Sequence, residues 1–237
     1  MTVRVPIERK NVMVLGGAGF LGSHLCEFLL KKGNNVICMD NFLSSDVENI
    51  KMMLEFPNFE FIRHDITEEI DFEELPELRK FKFKAQGLQE IYNLACPTAA
   101  DDFTKLPIET ARANSLGVIQ SLEWAKKYQA KYLLASSSAV YGKAPEKNEM
   151  IHESYLGNVN FIGPRACYNE GKRFAETLVS TYQEHFHINT RIGRIFTTYG
   201  PRMMLSSGRH VPDFISSALV GKEVIISGDE TTGSSLC

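Results

Sequence analysis

The chain has 237 residues, of which 43% are hydrophobic and 23% charged, with a net charge of −3. That balance suits a soluble globular protein of one large α/β unit, or one domain with a smaller lobe. No long basic block appears, which argues against a nucleic-acid partner, and no segment approaches the roughly 20 apolar residues of a membrane span.

Residues 1–17 lack a signal-peptide layout, because their short apolar run leads straight into glycines. A cytoplasmic protein is therefore expected. Cys26, Cys38, Cys96, Cys167 and Cys237 form no C-x-x-C pair. They are expected to be free, buried thiols, with no metal site.

Residues 11–17 (NVMVLGG) read as a buried strand and a glycine turn. In residues 20–32, Leu21, Leu25, Phe28 and Leu29 recur at helical spacing, and Gly33 supplies a stop. Further strands are expected at 35–40, 59–65 and 90–95. A helix is expected at about 107–127, a fifth strand at 131–137, a long helix at about 164–185 and a sixth strand at 190–196. Apolar strands alternating with helices indicate a parallel sheet covered on both faces, hence a doubly wound α/β (Rossmann) fold. The charge-dense stretch 66–84 is expected to be a solvated helical excursion.

The turn GGAGFLG (16–22) contains Gly17-x-Gly19-x-x-Gly22 and equally Gly16-x-x-Gly19-x-x-Gly22. Side chains there would keep a pyrophosphate from the backbone N–H groups at the helix N-terminus. Gly16, Gly19, Phe20, Leu21 and Gly22 are therefore expected at a dinucleotide. Asp40 ends the second strand, where a carboxylate accepts ribose hydroxyls and repels a 2′-phosphate, favouring NAD over NADP. Asn41 follows it. Asp65 is placed to meet the adenine edge, with Ile66 packing on the ring. An ordinary loop carboxylate is the competing reading.

Tyr168 and Lys172 stand at i and i+4 on one helix face. A phenol titrating near 10 is a poor base, and a nearby ammonium lowers that value. Together the glycine turn, Asp40, Asn93-Leu94-Ala95, Asn114, the serine-tipped strand and Tyr-x-x-x-Lys resemble extended short-chain dehydrogenases/reductases that act on nucleotide sugars. The resemblance covers essentially the whole chain. It is strongest to UDP-glucuronate decarboxylases (UDP-xylose synthases), through FIGPRACYNEGKRFAET (161–177), RIFTTYGPRM (194–203) and GRHVPDFI (208–215).

That resemblance implies transient C4 oxidation of a UDP-sugar, with NAD as a cofactor regenerated each turnover. Tyr168 would take the hydroxyl proton, Ser137 would hydrogen-bond the same oxygen, and Lys172 would also hold the nicotinamide ribose. Leu94, Ala95 and Asn114 would border the cofactor, with Asn114 supporting the active-site strand end. Ser138 would border the sugar. Arg202 and Arg209 are candidates for the nucleotide's phosphate or base region, because guanidinium forks suit phosphate oxygens; solvated surface arginines are the alternative. The family also implies a homodimer, through a four-helix bundle of the helices near 107–127 and 162–185.

The sequence departs from the decarboxylase pattern at three places. Ala139 replaces the glutamate implicated in decarboxylation, Ser234 stands where an arginine is expected, and Thr197 replaces the usual asparagine. A 4-epimerase needs Ser137, Tyr168 and Lys172 but no further acid, so epimerisation of a UDP-uronate is the favoured outcome. Decarboxylation is the alternative, and a non-catalytic nucleotide-binding homologue the second alternative. Residues 1–196 are expected to form the NAD-binding domain with the catalytic residues. Residues 197–237 would form a small substrate lobe, minimal or truncated, since the chain stops inside a recognisable motif.

Overall fold

The computed structural model describes residues 9–143, 150–205 and 208–224. Ser234 and Cys237, and with them the end of the expected lobe, lie outside those residues. Six strands form one parallel sheet: β1 (Asn11–Leu15), β2 (Asn35–Asp40), β3 (Phe59–Arg63), β4 (Glu90–Asn93), β5 (Lys131–Ser137) and β6 (Thr190–Ile195). Their order is β3-β2-β1-β4-β5-β6. The chain thus runs outward from β1 in one direction and then returns to β1's other side at β4. That reversal makes a crevice at the carboxyl ends of β1 and β4, and the topology is the expected Rossmann fold.

The helices are α1 (Phe20–Lys31), the short α2 (Phe83–Gln86) and α3 (Asp102–Lys105), α4 (Pro107–Asn114), α5 (Leu116–Tyr128), α6 (Ala166–Phe186) and α7 (His210–Leu219). One sheet face carries Met13, Leu15, Ile37, Ile91, Tyr132 and Leu134 against Leu122, Trp124, Ala175 and Val179 of α5 and α6. The other face carries Val12, Val14, Val36 and Cys38 against Cys26, Leu29 and Leu30 of α1. Strand side chains alternate between the faces, so both layers draw on the same strands. Phe28, counted in the apolar stripe of α1, is 55% exposed instead.

The structure differs from the sequence reading in two segments. The single helix expected at 107–127 is two helices, α4 and α5, broken at Ser115 (φ −115°, ψ −80°). The Ser115 hydroxyl donates to the Ala111 carbonyl at 2.7 Å, and such side-chain bonding competes with the helical ladder. The charge-dense stretch is helical in short pieces, Pro76–Phe81 and Phe83–Gln86, but it is not solvated all round. Phe72, Leu78, Phe81 and Phe83 are buried in the larger core. Leu75, Leu78 and Phe81 recur every third residue around the 3₁₀ helix Pro76–Phe81, the spacing that aligns side chains in that helix. Its charges meet at the rim, as in Lys84–Glu74 at 2.9 Å and Lys80–Glu60 at 2.8 Å. Among the described residues no helix is long and apolar enough to cross a membrane.

The glycine turn is fixed by lack of room. A Cβ on Gly22 would lie 2.1 Å from the Gly16 carbonyl oxygen and 2.8 Å from Gly17 Cα. Alanine would add about 1 kcal/mol of helix propensity, but backbone atoms cannot step aside cheaply. Gly22→Ala is expected to destabilise the protein by a net of about 1–3 kcal/mol, read from urea unfolding; an unchanged midpoint would contradict this packing.

Candidate active site

A cleft of about 960 Å³ opens along the carboxyl ends of the strands. Its floor is the glycine turn. Gly16 has φ +73°, and a Cβ there would meet the Leu94 and Ala95 backbone at 2.8 Å. Gly16, Gly19 and Gly22 line the cleft together with Phe20 and Leu21. Gly17 does not; a Cβ on it would collide with Cys38 Sγ at 2.5 Å. Of the two glycine spacings, the Gly16-x-x-Gly19-x-x-Gly22 set therefore faces the cavity. Gly19 is the N-cap of α1 and makes no side-chain cap, so no side chain occupies the positive end of the helix.

Asp40 is buried at the tip of β2. Its Oδ2 accepts from the Ala18 N–H at 3.0 Å, and its Oδ1 accepts from the Phe42 N–H at 2.9 Å and the Ser45 hydroxyl at 2.7 Å. One carboxylate thus ties the glycine turn to the loop after β2 while still lining the cleft. Asp65 accepts from the Thr67 N–H at 2.8 Å, the Thr67 hydroxyl at 2.7 Å and the Asn41 amide at 2.9 Å. Burial acts to raise the Asp65 carboxyl, but these bonds and the charge of Arg112 outweigh it, so the group sits below its ordinary value. Ile66 is largely buried and packs against Gly117 of α5.

Leu94 and Ala95 border the cleft, and their course is set by a buried trio. Asn93 Oδ1 accepts from the Ala95 N–H at 3.1 Å, and Asn93 Nδ2 donates to the Tyr132 hydroxyl at 2.9 Å and to Ser121 Oγ at 3.1 Å. Burial pushes the Tyr132 phenol up to about 12, so it remains a neutral hydrogen-bonding group.

The opposite wall is the end of β5 and the start of α6. Ser137, Ser138, Ala139, Tyr168 and Lys172 all line it. Lys172 is 4% exposed and donates to the Ala135 carbonyl at 2.9 Å. Its Nζ lies 5.8 Å from the centre of the Tyr168 ring. Tyr168 is itself buried, stacked on Phe103 at 4.6 Å. Ser137 Oγ accepts from the Ala139 N–H at 3.2 Å, capping the short turn Ser138–Tyr141. Asn114 is not in the lining. It stands one layer behind, donating to Cys96 Sγ at 3.0 Å and the Thr110 carbonyl at 2.9 Å, with Gly171 close against it.

The two arginines part company. Arg202 reaches back to α1 and pairs with Glu27. Lys31 and then Arg202 pull the Glu27 carboxyl down to about 2. Arg209 crosses the other lip, donating to the Thr98 hydroxyl at 2.5 Å. Burial lowers its pKa, against the charges of Asp102, Tyr168 and Asp213. Arg209 is thus the arginine near the Tyr168 wall, a distinction no local spacing signals. Phe103 and Cys96 were also missed, since neither carries a motif of its own. Cys26 and Cys38 are buried as expected, whereas Cys96 and Cys167 are only partly so. Among the described residues no cluster of three or more metal-ligating side chains occurs.

The residues present fit a dinucleotide: a glycine cradle that any Cβ would fill, an uncapped helix N-terminus, and a carboxylate at the neighbouring strand tip. A cleft of this kind, with a Tyr–Lys helix as its far wall, belongs to the short-chain dehydrogenase/reductase class of Rossmann proteins. Within that class the chain belongs to the NAD dependent epimerase/dehydratase family, whose pattern residues 12–234 match.

UDP-glucuronic acid decarboxylase 4 of Arabidopsis thaliana is 42% identical over 230 residues, covering 95% of this chain and 48% of that protein. UDP-glucuronic acid decarboxylase 1 of Xenopus tropicalis is 40% identical over 226 residues, 94% of this chain and 50% of that protein. The chain thus spans about half the length of these curated relatives. Among solved structures, the UDP-glucuronic acid 4-epimerase of Bacillus cereus, in complex with UDP-glucuronic acid and NAD, superposes with a TM-score of 0.75. It is 30% identical and is matched over 92% of this chain and 66% of its own.

The depressed Asp65 carboxyl has a pH signature. A group whose folded pKa lies below its unfolded value stabilises the fold above the unfolded value, and that contribution disappears as pH falls through the folded pKa. The melting-temperature difference between the parent and Asp65→Asn is expected to be full at neutral pH and to shrink below about pH 4. A difference independent of pH would contradict the hydrogen-bonded carboxylate.

Proposed function

We propose that the chain is an NAD-dependent enzyme that transiently oxidises C4 of a UDP-uronate, with 4-epimerisation as the outcome. The observation that carries this reading is the Tyr168–Lys172 pair on a cleft wall whose neighbouring turn offers Ala139 in place of an acid. NAD, when bound, supplies the acceptor and later the donor of a hydride. Gly16, Gly19 and Gly22 would hold its pyrophosphate, and Asp40 its ribose hydroxyls.

Tyr168 takes the proton of the sugar hydroxyl. The buried Lys172 ammonium stands on the same helix face, 5.8 Å from the Tyr168 ring centre, where it can hold the nicotinamide ribose. The Ser137 oxygen is already an acceptor for Ala139 N–H, which leaves the serine's own proton to donate to the sugar oxygen. Tyr168 returns the proton once the keto sugar has turned its other face. A methyl group at position 139 moves no proton, so nothing at that point of the turn diverts the keto sugar.

Decarboxylation is the second reading, favoured by the 42% identity to a plant UDP-glucuronic acid decarboxylase. A 4-keto uronate is a β-keto acid and loses CO₂ without an added acid, though more slowly.

Protein incubated with NAD⁺ and UDP-glucuronate and followed by NMR is expected to give UDP-galacturonate. UDP-xylose or a 4-keto pentose would establish the second reading instead. Absence of turnover across UDP- and dTDP-sugars would reject both. Tyr168→Phe is expected to lower turnover by about 10²–10⁴-fold; an unchanged rate would remove Tyr168 from the chemistry.

We also propose a homodimer through α4, α5 and α6. Ile108, Leu116 and Phe174 on these helices are 66%, 48% and 47% exposed, and an apolar face of that kind is stabilised by covering it. Light scattering is expected to report a dimer that Phe174→Glu weakens; a monomeric parent would reject the interface.

A further inference from the structure

We propose that Glu176, gripped by Arg194, is a positioning residue that sets the β5 end carrying Ser137 against the Tyr168–Lys172 face of α6. The proposal rests on the catalytic reading above for its kinetic arm only.

Tyr168, Lys172 and Glu176 follow one another at intervals of four along α6 and so share one stripe of the helix. That stripe staples β5 at two successive residues. Lys172 donates to the Ala135 carbonyl at 2.9 Å, and Glu176 Oε1 accepts from the Ser136 hydroxyl at 2.5 Å. Ser137 is the next residue. The first staple belongs to the Tyr–Lys pair itself; the second is made by a residue with no assigned role.

Glu176 is held from a second direction. Arg194 of β6 stands in register with Ser136. Its Nε donates to Oε1 and Oε2 of Glu176 at 2.9 and 3.2 Å, and its Nη2 donates to Oε2 at 2.7 Å. This is the two-pronged fork that fixes direction as well as distance. The same guanidinium donates through Nη1 to the Tyr141 hydroxyl at 3.0 Å and to the Glu153 carbonyl at 2.9 Å, and it lies 4.8 Å over the Tyr141 ring. Tyr141 closes the turn Ser138–Tyr141. The pair therefore holds the serine segment at both ends, through Ser136 before Ser137 and through Tyr141 after Ala139.

Burial separates this pair from a surface ion pair. The side chains of Arg194 and Glu176 are 26% and 13% exposed, whereas Lys105–Asp101 stands at 70% and 54%. Removing Glu176 would take from a half-buried guanidinium its carboxylate partner and from the Ser136 hydroxyl its acceptor. None of these contacts reaches the glycine turn. Lys172 keeps its own bond to the Ala135 carbonyl, so loss of the clamp should displace Ser137 and leave the dinucleotide end intact.

In the 237-residue chain, Glu176→Ala is expected to lower kcat on UDP-glucuronate by about 10–100-fold, the scale of a misplacement near 1 Å, with KM and NAD⁺ affinity by calorimetry within about threefold of the parent. Glu176→Gln keeps an acceptor for Ser136 and is expected to recover part of that loss. Hydrogen exchange of residues 135–142 is expected to quicken in Glu176→Ala, with residues 11–22 unchanged. A kcat within about twofold of the parent, or an affinity loss as large as the kcat loss, would overturn the proposal.

If Glu176→Ala does not fold, Arg194→Lys keeps the charge without the fork and carries the same test, with an expected loss of about tenfold in kcat. If the parent turns over no sugar, the catalytic reading fails by itself. Hydrogen exchange then decides the clamp, and unchanged protection of residues 135–142 would overturn it.

Discussion

Everything in this cleft is referred to one crowded point, where backbone meets backbone without side chains between. Gly16 lies against the backbone of Leu94 and Ala95, and Gly22 against the carbonyl of Gly16. The turn after β1, the end of β4 and the first turn of α1 therefore share a space that any Cβ would fill. Because neither neighbour can retreat, the helix N-terminus is aimed at the crevice by geometry alone. Asp40 then secures the turn with its bond from the Ala18 N–H, and Asn93 secures the facing strand end with its bond from the Ala95 N–H. Packing defines the shape, and two buried polar side chains keep it from drifting.

The opposite wall is held by different forces. No glycine crowding joins β5 to α6. The junction is made of charged side chains reaching a strand end: Lys172 to the Ala135 carbonyl, and Glu176 to Ser136 under the grip of Arg194. Hydrogen bonds to charged groups are stronger than neutral ones and more directional, so they suit a wall where, under the proposed reading, a hydroxyl and a phenol face one small ligand. Steric exclusion suits the floor, where, under the proposed reading, a pyrophosphate needs only room and N–H donors. The split follows the sheet, since the floor is built on β1, β2 and β4 and the wall on β5 and β6.

Strands, order of elements and the Rossmann topology were legible in the sequence because the central strands are short apolar runs bounded by polar residues, and because glycine spacing has few competing explanations in that context. The break at Ser115 was not legible. The apolar spacing of residues 107–127 continues through it, and only the serine's bond to the Ala111 carbonyl competes with the helix. Residues 66–84 were misread because charge density was weighed above the positions of the phenylalanines. Phe72, Leu78, Phe81 and Phe83 bury themselves while the lysines and glutamates between them stay at the rim. Within the cleft, Tyr168 and Lys172 announce themselves by an interval of four, and Glu176 repeats that interval. Phe103 and the separation of Arg202 from Arg209 could not be read, because they depend on how the segments after β4 and β6 fold back over the crevice.

Position 139 shows why overall likeness and local chemistry can point to different reactions. The turn Ser138–Tyr141 is held by the Ala139 N–H bonding Ser137 Oγ, by the Gly142 N–H bonding the Ala139 carbonyl at 3.1 Å, and by Arg194 on Tyr141. Residue 139 contributes only its backbone to these bonds. Residue 139 lines the cleft, and its methyl group makes none of the hydrogen bonds that hold the turn. The bonds of the turn use no side-chain atom of residue 139, so under the proposed reading the sequence around it can stay close to decarboxylases while this one side chain changes the proton inventory of the site. Identity summed along the chain measures the scaffold, which is built from the glycine turn, the clamped strand end and the two cores. Under the proposed reading, the fate of the keto sugar is decided by the few groups the scaffold does not need, and Ala139 is the one whose chemistry the fold leaves free.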